Sequence, residues 1–395
     1  MLRGFKTQLN PNNVLMTKFA QHCGVARYTY NWGLDVSFQV LEARNQAKEK
    51  GETLPKFPSS IDLHKKLNAE VKTQKPWFYD SSKCAPQQAL RDLENAWKRK
   101  LKVKGSGTPR YKKKFAKDGF YLEGAIQVKD GFIKLPKIGY VRLFETVPNQ
   151  TIKNVRITRK ADNWFVSFKV EVDIPHTTKC FGKVGVDLGV KTLATLSDGT
   201  VFPALKPYRK NKARLAKLQR QASKQVKGGQ NRAKTLLRVA KLHARIANIR
   251  NDATNKLTSY LAKNHSEIVI EDLKVSGMIK NQSLASAITD SGFYEFRRQL
   301  EYKSEWYGSK VSVIDKWYPS SQLCSGCGNR QEMPLHVRQY ECSQCGISLD
   351  RDLNAALNIR DYSENTVSST VSACGRGKAQ APRLKQEVDS KPKFA

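Results

Sequence analysis

The sequence is short of acid. Its 395 residues hold 35 Asp and Glu against 70 Lys and Arg, a formal charge of +35. Charge this one-sided attracts a polyanion and steers its approach. Nucleic acid is the polyanion it points to, ahead of a membrane surface. No run of 18 apolar residues occurs, which excludes a helix that spans a bilayer. The opening MLRGFKTQLN has no apolar segment of signal-peptide length, so a cytoplasmic protein is expected. Eight cysteines in a chain this long are too few for a disulfide framework. No internal repeat is visible. What remains is ample for folding: 39% of residues are hydrophobic, and the length predicts two or three domains with proper cores.

The chain changes character along its length. Residues 1–10 read as a short strand ending in a turn at Asn10-Pro11. Residues 12–103 read as helical. The clearest helix follows Ser81 and Ser82, either of which suits an N-cap. Leu90, Leu93, Trp97 and Leu101 give it an apolar face, and Lys83, Gln87, Gln88, Arg91, Lys98 and Arg99 lie opposite. A Gly- and Lys-rich connector follows. Residues 119–174 are short β-branched and aromatic stretches, with turns expected at Asp130-Gly131, Ile138-Gly139 and Asp162-Asn163. Their spacing predicts a small barrel or sandwich, which the N-terminal strand completes with the helices inserted between. From 183 come two strands, with a turn at Ser197-Asp198-Gly199. A basic helical stretch over 206–262 follows, holding fifteen Lys or Arg and no acid between 206 and 250. Gly228-Gly229 breaks it into a hairpin with an apolar seam of Leu236, Val239, Leu242, Ile246 and Ile249. A strand, a helix near 292–307, a second strand, a cysteine cluster and a last helix complete the pattern. The polar segment 361–395 is expected to be disordered.

Cys324, Cys327, Cys342 and Cys345 form two Cys-x2-Cys pairs, each followed by glycine. That spacing matches two knuckles closing on one tetrahedral Zn2+. Four thiolates leave no open coordination position, so the site is structural. Three acids stand out separately. Asp187 lies in the apolar strand VGVDLG, where a carboxylate is costly unless it binds something. Glu271 ends the apolar run IVI, and Asp352 opens the last helix two residues after Asp350. Converging carboxylates hold divalent cations, and two Mg2+ about 4 Å apart support phosphodiester cleavage. The plainer alternatives are helix capping for Asp350 and Asp352 and a solvated strand end for Glu271. Strand–acid, hairpin, helix, strand–acid, strand, helix–acid is the element order of an RNase H-like fold.

Seven collinear motifs carry a resemblance over residues 1–360. They are ARYTYNWGL at 26–34, PRYKKKF at 109–115, LPKIGYVRL at 135–143, GVDLGVK at 185–191, IEDLKVSGM at 270–278, YPSSQLCSGCG at 318–328 and DRDLNAALNIR at 350–360. With them the sequence resembles the TnpB family, transposon-encoded RNA-guided nucleases related to type V CRISPR effectors. The resemblance implies a multidomain α/β protein: a RuvC-like, RNase H-like nuclease domain with a zinc ribbon, preceded by a small β-barrel with an inserted helical lobe. It implies a barrel (wedge) domain over 1–10 and 118–182, a helical recognition lobe over 11–117, a nuclease domain over 183–319 and 349–360, and a zinc-binding insertion over 320–348. The implied catalytic acids are Asp187, Glu271 and Asp352 on two Mg2+, Asp352 being preferred to Asp350 because it stands directly before the L-N-A-A stretch. One structural Zn2+ sits on the four cysteines. The implied partners are a guide RNA from the transposon end and double-stranded target DNA read beside a short duplex motif, with one or two copies of the protein on one guide. Such a protein works in the prokaryotic cytoplasm, at the nucleoid. Lys83 and Gln87 match positions that approach the duplex motif, and both residue types contact base edges. Arg110, Lys112, Lys113 and Lys114 around Tyr111 suit phosphate contact with stacking; a solvated linker is the plainer alternative. The runner-up activity is an RNase H-like DNA transposase using the same acids, and the third is a guide-directed repressor that does not cut.

Overall fold

The computed structural model describes residues 1–173, 177–334 and 336–362. The expected disorder of 361–395 therefore lies outside the described residues, except that Asp361 ends the last helix. The chain divides into two compact units, Met1–His176 with Lys206–Ala253, and Thr177–Leu205 with Thr254–Ala395.

In the first unit, strand β1 (Leu2–Asn10) leads into helix α1 (Asn13–Lys50), then α2 (Ser60–Lys66) and α3 (Cys84–Lys102). Five strands follow: β2 (Gly119–Lys129), β3 (Phe132–Leu135), β4 (Gly139–Leu143), β5 (Gln150–Lys160) and β6 (Asn163–Glu171). They close with β1 into an antiparallel barrel of order β1-β4-β3-β2-β5-β6. The two-residue period explains the closure. On β6, Trp164, Val166, Phe168 and Val170 all point inward while their neighbours face out. Closure leaves no strand edge to pair with another chain. Asp130 and Gly131, both at positive φ, form the tight turn between β2 and β3. The β5–β6 turn falls on Ala161-Asp162, one residue earlier than expected. Asn163 pairs with Lys160 across the hairpin, which puts Ala161 in the left-handed region at φ 56°.

One apolar core runs from the barrel into α1 and α3. Asn12 caps α1 by accepting from the Leu15 amide at 2.9 Å, and Gly51 ends it at φ 68°. Gly33 lets α3 approach: a Cβ there would stand 2.8 Å from a Leu90 methyl. His22 ties α1 to the segment just before α3. Its Nδ1–H donates to the Lys18 carbonyl at 2.7 Å, and Nε2 accepts from the Ser82 amide at 3.1 Å. The expected Ser81 or Ser82 cap is displaced, and α3 begins after Lys83 with no side-chain cap. The Ser82 hydroxyl keeps a long 3.4 Å contact with the Cys84 amide. Leu101 is not on the buried face but 83% exposed, one turn past the packed Trp97.

The basic stretch forms α4 (Pro207–Lys224) and α5 (Gln230–Asn264), broken at Gly228-Gly229. Leu215, Leu242 and Ile246 pack between them, with Val239 beside. Leu236 is exposed and does not belong to that seam.

The second unit holds a five-stranded sheet of β7 (Phe181–Asp187), β8 (Thr192–Leu196), β9 (Val201–Pro203), β10 (His265–Glu271) and β11 (Lys310–Ile314). Its order is β11-β10-β7-β8-β9. β7, β10 and β11 run parallel, and β8 and β9 return as an antiparallel meander. Short helices α6 (Val275–Met278) and α7 (Ala285–Ser291) and the longer α8 (Phe293–Tyr307) connect β10 to β11. A small two-stranded ribbon, β12 (Gln339–Glu341) with β13 (Ser348–Asp350), precedes α9 (Arg351–Asp361). α9 lies against β7 so closely that a Cβ at Gly185 would stand less than 3.0 Å from the Ala356 carbonyl oxygen and the Arg360 nitrogen. Among the described residues no helix is long and apolar enough to cross a membrane.

His22 gives the first unit a testable pH dependence. Burial holds its pKa below the ordinary 6.5, so the folded state keeps the ring neutral where the unfolded chain takes up a proton. As pH falls below about 6.5 the unfolded state binds more protons and stability drops. Thermal unfolding from pH 7 to pH 5 should therefore show a smaller decline in His22→Gln than in the unsubstituted protein. Equal declines would rule the ring out as the source.

Candidate active site and metal centre

Parallel strands place their carboxyl ends side by side, and an open sheet binds ligands along that edge. Asp187 is the last residue of β7, and Glu271 the last of β10. The register pairs Ile270 with Val186, so the two acids follow at the next step on neighbouring strands. Asp352 comes from the first turn of α9, which Gly185 seats against β7. The electrostatics show the convergence. The Asp187 pKa is pushed up to about 8, first by burial and then by the carboxylates of Glu271 and Asp352, with Arg351 opposing. Glu271 is also raised by burial, against a hydrogen bond from the Ser320 hydroxyl at 2.6 Å. Arg338 stands 3.7 Å from Asp352. A carboxyl forced towards its neutral form by other carboxylates is relieved by a cation. The donor set, two carboxylates at strand ends and one on α9, suits a hard divalent ion such as Mg2+ in kind, but their oxygens do not converge within 4.8 Å as the cysteine sulfurs do.

Asp350 has a different task. Its Oδ1 accepts from the Asp352 amide at 2.9 Å and the Leu353 amide at 3.2 Å, capping α9. The helix that presents Asp352 is thus held at its start by the acid two residues before it.

Beside Glu271 opens a pocket of about 480 Å³, lined by Leu188, Lys274, Tyr294, Arg297 and Arg298. Tyr294 is largely exposed, and Arg297 is held by Asp272 and Glu301. The pocket therefore combines cations with an aromatic face next to Glu271.

The cysteines form a separate centre. All four sulfurs lie within 4.8 Å of one another, the only such group of potential metal ligands among the described residues. Cys324 to Cys345 is 3.5 Å and Cys327 to Cys342 is 3.6 Å. Tetrahedral Zn–S bonds imply sulfur separations of about 3.8 Å, so the cage is of zinc size. Gly328 and Gly346 adopt φ 74° and 71°, and their amides return to the Cys324 and Cys342 carbonyls. Each knuckle therefore needs the left-handed residue that its glycine supplies. Tyr340, fully buried, packs beneath Cys324 and Cys342 with Met333 and Ile347.

Two asparagines on α9 tie this centre to the helix, and sequence reading did not select them. Asn354 Nδ2 donates to the Leu323 carbonyl at 2.7 Å, and its Oδ1 accepts from the Ser325 amide at 3.0 Å. Asn358 donates to the carbonyls of Ser320 at 2.8 Å and Leu323 at 2.7 Å. Their spacing of four residues is the available signal, since it puts both on one helix face.

The expected nucleic-acid residues fall in the first unit. Lys83 is exposed just before α3, and Gln87 is half-buried in its first turn. The 109–115 segment is docked rather than loose. Asn31 pairs with both the amide and the carbonyl of Lys112, and the Tyr111 hydroxyl donates to Asp35. The Lys112 ammonium lies 3.9 Å over the Tyr30 ring, and desolvation lowers its pKa. Arg110, Lys113 and Lys114 are exposed. Tyr111, Lys112 and Lys113 line a cleft of about 710 Å³ with Gln88, Arg156 and Arg159. Neither Arg156 nor Arg159 was selected from sequence, because each reads there as an outward residue of a barrel strand.

Three family models match parts of the chain. Residues 166–282 match a family model described as "Probable transposase", and residues 293–359 match one described as "Cas12f1-like, TNB domain". Residues 1–46 match a model described as "Helix-turn-helix domain", although this stretch holds one strand and part of a single long helix. A Streptomyces pristinaespiralis protein named "Putative RNA-guided DNA endonuclease" is 36% identical over 95% of this chain and 91% of its own. The Escherichia coli (strain K12) protein "Putative RNA-guided DNA endonuclease InsQ" is 35% identical over 98% of this chain and 97% of its own. "CRISPR-associated endodeoxyribonuclease Cas12f1" of Sulfoacidibacillus thermotolerans is 27% identical over 34% of this chain and 32% of its own.

Metal analysis of the purified chain should return about one zinc per molecule. Cys342→Ser should lose it. Cys23→Ser should keep it, because Cys23 is a core thiol whose pKa burial pushes up to about 12. Folded protein without zinc would exclude the cage as a zinc site. Cys374, the other cysteine expected to be dispensable, lies outside the described residues.

Proposed function

The chain belongs to the TnpB family, and from that premise we propose that it is an RNA-guided DNA endonuclease that cuts at the Asp187–Glu271–Asp352 cluster. The carrying observation is that β7, β10 and α9 bring Asp187, Glu271 and Asp352 to one place, where burial first, and then the Glu271 and Asp352 charges, push the Asp187 pKa up to about 8. The sheet order β11-β10-β7-β8-β9, with α9 packed on β7, supports an RNase H-like reading of the second unit. We assign the barrel to 1–10 and 118–182, the helical lobe to 11–117, the nuclease domain to 183–319 and 349–360, and the zinc ribbon to 320–348.

Asp187, Glu271 and Asp352 would together hold the cations. Bound there, two Mg2+ would activate the attacking water and stabilise the leaving oxygen of a phosphodiester. Ser320 orients Glu271, Asp350 holds the helix that carries Asp352, and Arg351 offsets part of the acids' mutual repulsion. With one cluster of acids, the two strands of a duplex must be cut in succession, each entering as a single strand. Guide pairing reads the target sequence, so the protein needs chiefly backbone contacts along it. A net charge of +35 and the acid-free stretch 206–250 supply these.

The family model's description favours a second reading, a DNA transposase using the same acids. It predicts dependence on transposon ends and none on RNA. RNA copurifying with the protein and required for cutting would decide for the endonuclease.

Asp187→Ala should abolish cutting of both strands while guide and target binding persist. Glu271→Ala and Asp352→Ala should match it, and their combination should add little. Asp350→Ala loses a helix cap worth about 1 kcal/mol, so Asp350→Asn, which keeps the cap, is the fair control and should still cut. Nicking of one strand by Asp187→Ala would rule out a single shared centre. In binding, removing the charges of Lys113 and Lys114 should flatten the fall of DNA affinity with salt by about one to two phosphate contacts. Lys112→Ala should flatten it less, because that ammonium already rests on Tyr30. An unchanged slope in the double variant would show that the segment does not touch phosphate.

A further inference from the structure

Ser320 is buried and stands where three parts of the second unit meet. Its hydroxyl donates to Glu271 Oε1 at 2.6 Å, and its carbonyl accepts from Asn358 Nδ2 at 2.8 Å. Asn358 also holds the Leu323 carbonyl, which Asn354 shares, and the next residue is Cys324. Asn354 and Asn358 are themselves buried. The segment 320–325 is therefore clamped to α9 at its carbonyls, anchored at Cys324 in the cysteine cage, and gripping Glu271 at its head. α9 also bears Asp352.

We propose that Ser320 is a positioning residue for the cleavage centre: it fixes the Glu271 carboxylate for cation binding, and the α9 asparagines fix Ser320. The inference rests on the reading of Glu271 as a cation ligand. A glutamate side chain left free loses roughly 1.5–2 kcal/mol of rotamer entropy when it is immobilised. A hydroxyl already holding one oxygen lowers that cost before the cation arrives, and it leaves Oε2 as the oxygen available to the ion. The donor chemistry matters too. An Arg or Lys in this place would also orient Glu271, but it would neutralise the charge that attracts the ion. A neutral hydroxyl orients without competing. Partners of metal ligands in such roles change metal affinity by about 10–100-fold when removed.

The test uses the full chain loaded with guide RNA and compares unsubstituted protein, Ser320→Ala and Ser320→Thr. One readout is the Mg2+ concentration giving half-maximal cutting. A second, independent of cutting, is Mn2+ affinity measured by electron paramagnetic resonance. Ser320→Ala should weaken both by about tenfold or more, with zinc content and target binding unchanged. Ser320→Thr keeps the hydroxyl and should recover most of the loss. In a Glu271→Ala background, Ser320→Ala should add nothing to the loss of Mn2+ affinity. If Ser320→Ala fails to fold, Ser320→Cys, close in size but a weaker donor, carries the same expectation. Unchanged Mg2+ and Mn2+ curves in Ser320→Ala or in Ser320→Cys would overturn the proposal. So would a Ser320→Thr as impaired as Ser320→Ala. Failure of the underlying reading looks different: Glu271→Ala would itself keep cutting.

Discussion

The second unit depends on one close approach, that of the α9 backbone to β7 at Gly185. Hydrogen takes the place of a side chain there, and both sides of the glycine are engaged. The Ala356 carbonyl and Arg360 amide crowd one face. Ser197 bonds the main chain, accepting at its hydroxyl from the Gly185 amide at 3.1 Å and donating its own amide to the Gly185 carbonyl at 3.0 Å. A methyl at this position would push the helix off the strand. Asp352 rides on that helix, so the spacing of the acids is set by a residue that carries no functional group.

The acids are arranged against their own stability. Burial and mutual repulsion raise Asp187, and Arg351 offsets only part of the strain. The neighbourhood answers with structure more than with charge: a helix cap from Asp350, a hydroxyl from Ser320, and two asparagines that weld the cysteine ribbon to α9. Glu271 and the two asparagines take neutral partners here, while Asp352 faces Arg338 at 3.7 Å. The cysteine cage thereby becomes part of the scaffold of the carboxylate cluster and not an appendage to it.

Legibility in the sequence followed the range of the forces involved. The barrel strands could be read because inward and outward residues alternate, and the cysteine cage because a knuckle is a local turn with fixed spacing. An acid closing an apolar strand is visible too, since burial makes it conspicuous. Errors arose where a distant partner decided. Ser81 or Ser82 was expected to cap α3, but His22, sixty residues away, holds this segment at the Ser82 amide and the helix starts only after Lys83. Leu101 keeps the helical period but lies beyond the reach of the core. The docking of the Lys112 main chain by Asn31 and of its ammonium over Tyr30 likewise leaves no mark in a basic connector. Ser320, Asn354 and Asn358 carry no periodic signal of their own, because their meaning comes from carbonyls and carboxylates on other elements.

The barrel's connectivity also governs how the chain acquires its shape. β1 pairs along its length with β6, Leu2 opposite Glu171. β1 precedes β6 in the chain and has no complete partner until that last barrel strand exists. Contacts so distant in sequence form slowly, after the entropy of a long loop has been lost. α1 and α3 rely on nearer contacts and have a cap, a left-handed stop and a glycine-permitted crossing to form early. Until β6 arrives, β1 offers unpaired amides and carbonyls to any extended segment nearby. The open barrel, before β6 pairs with β1, therefore exposes a strand edge that the folded protein hides.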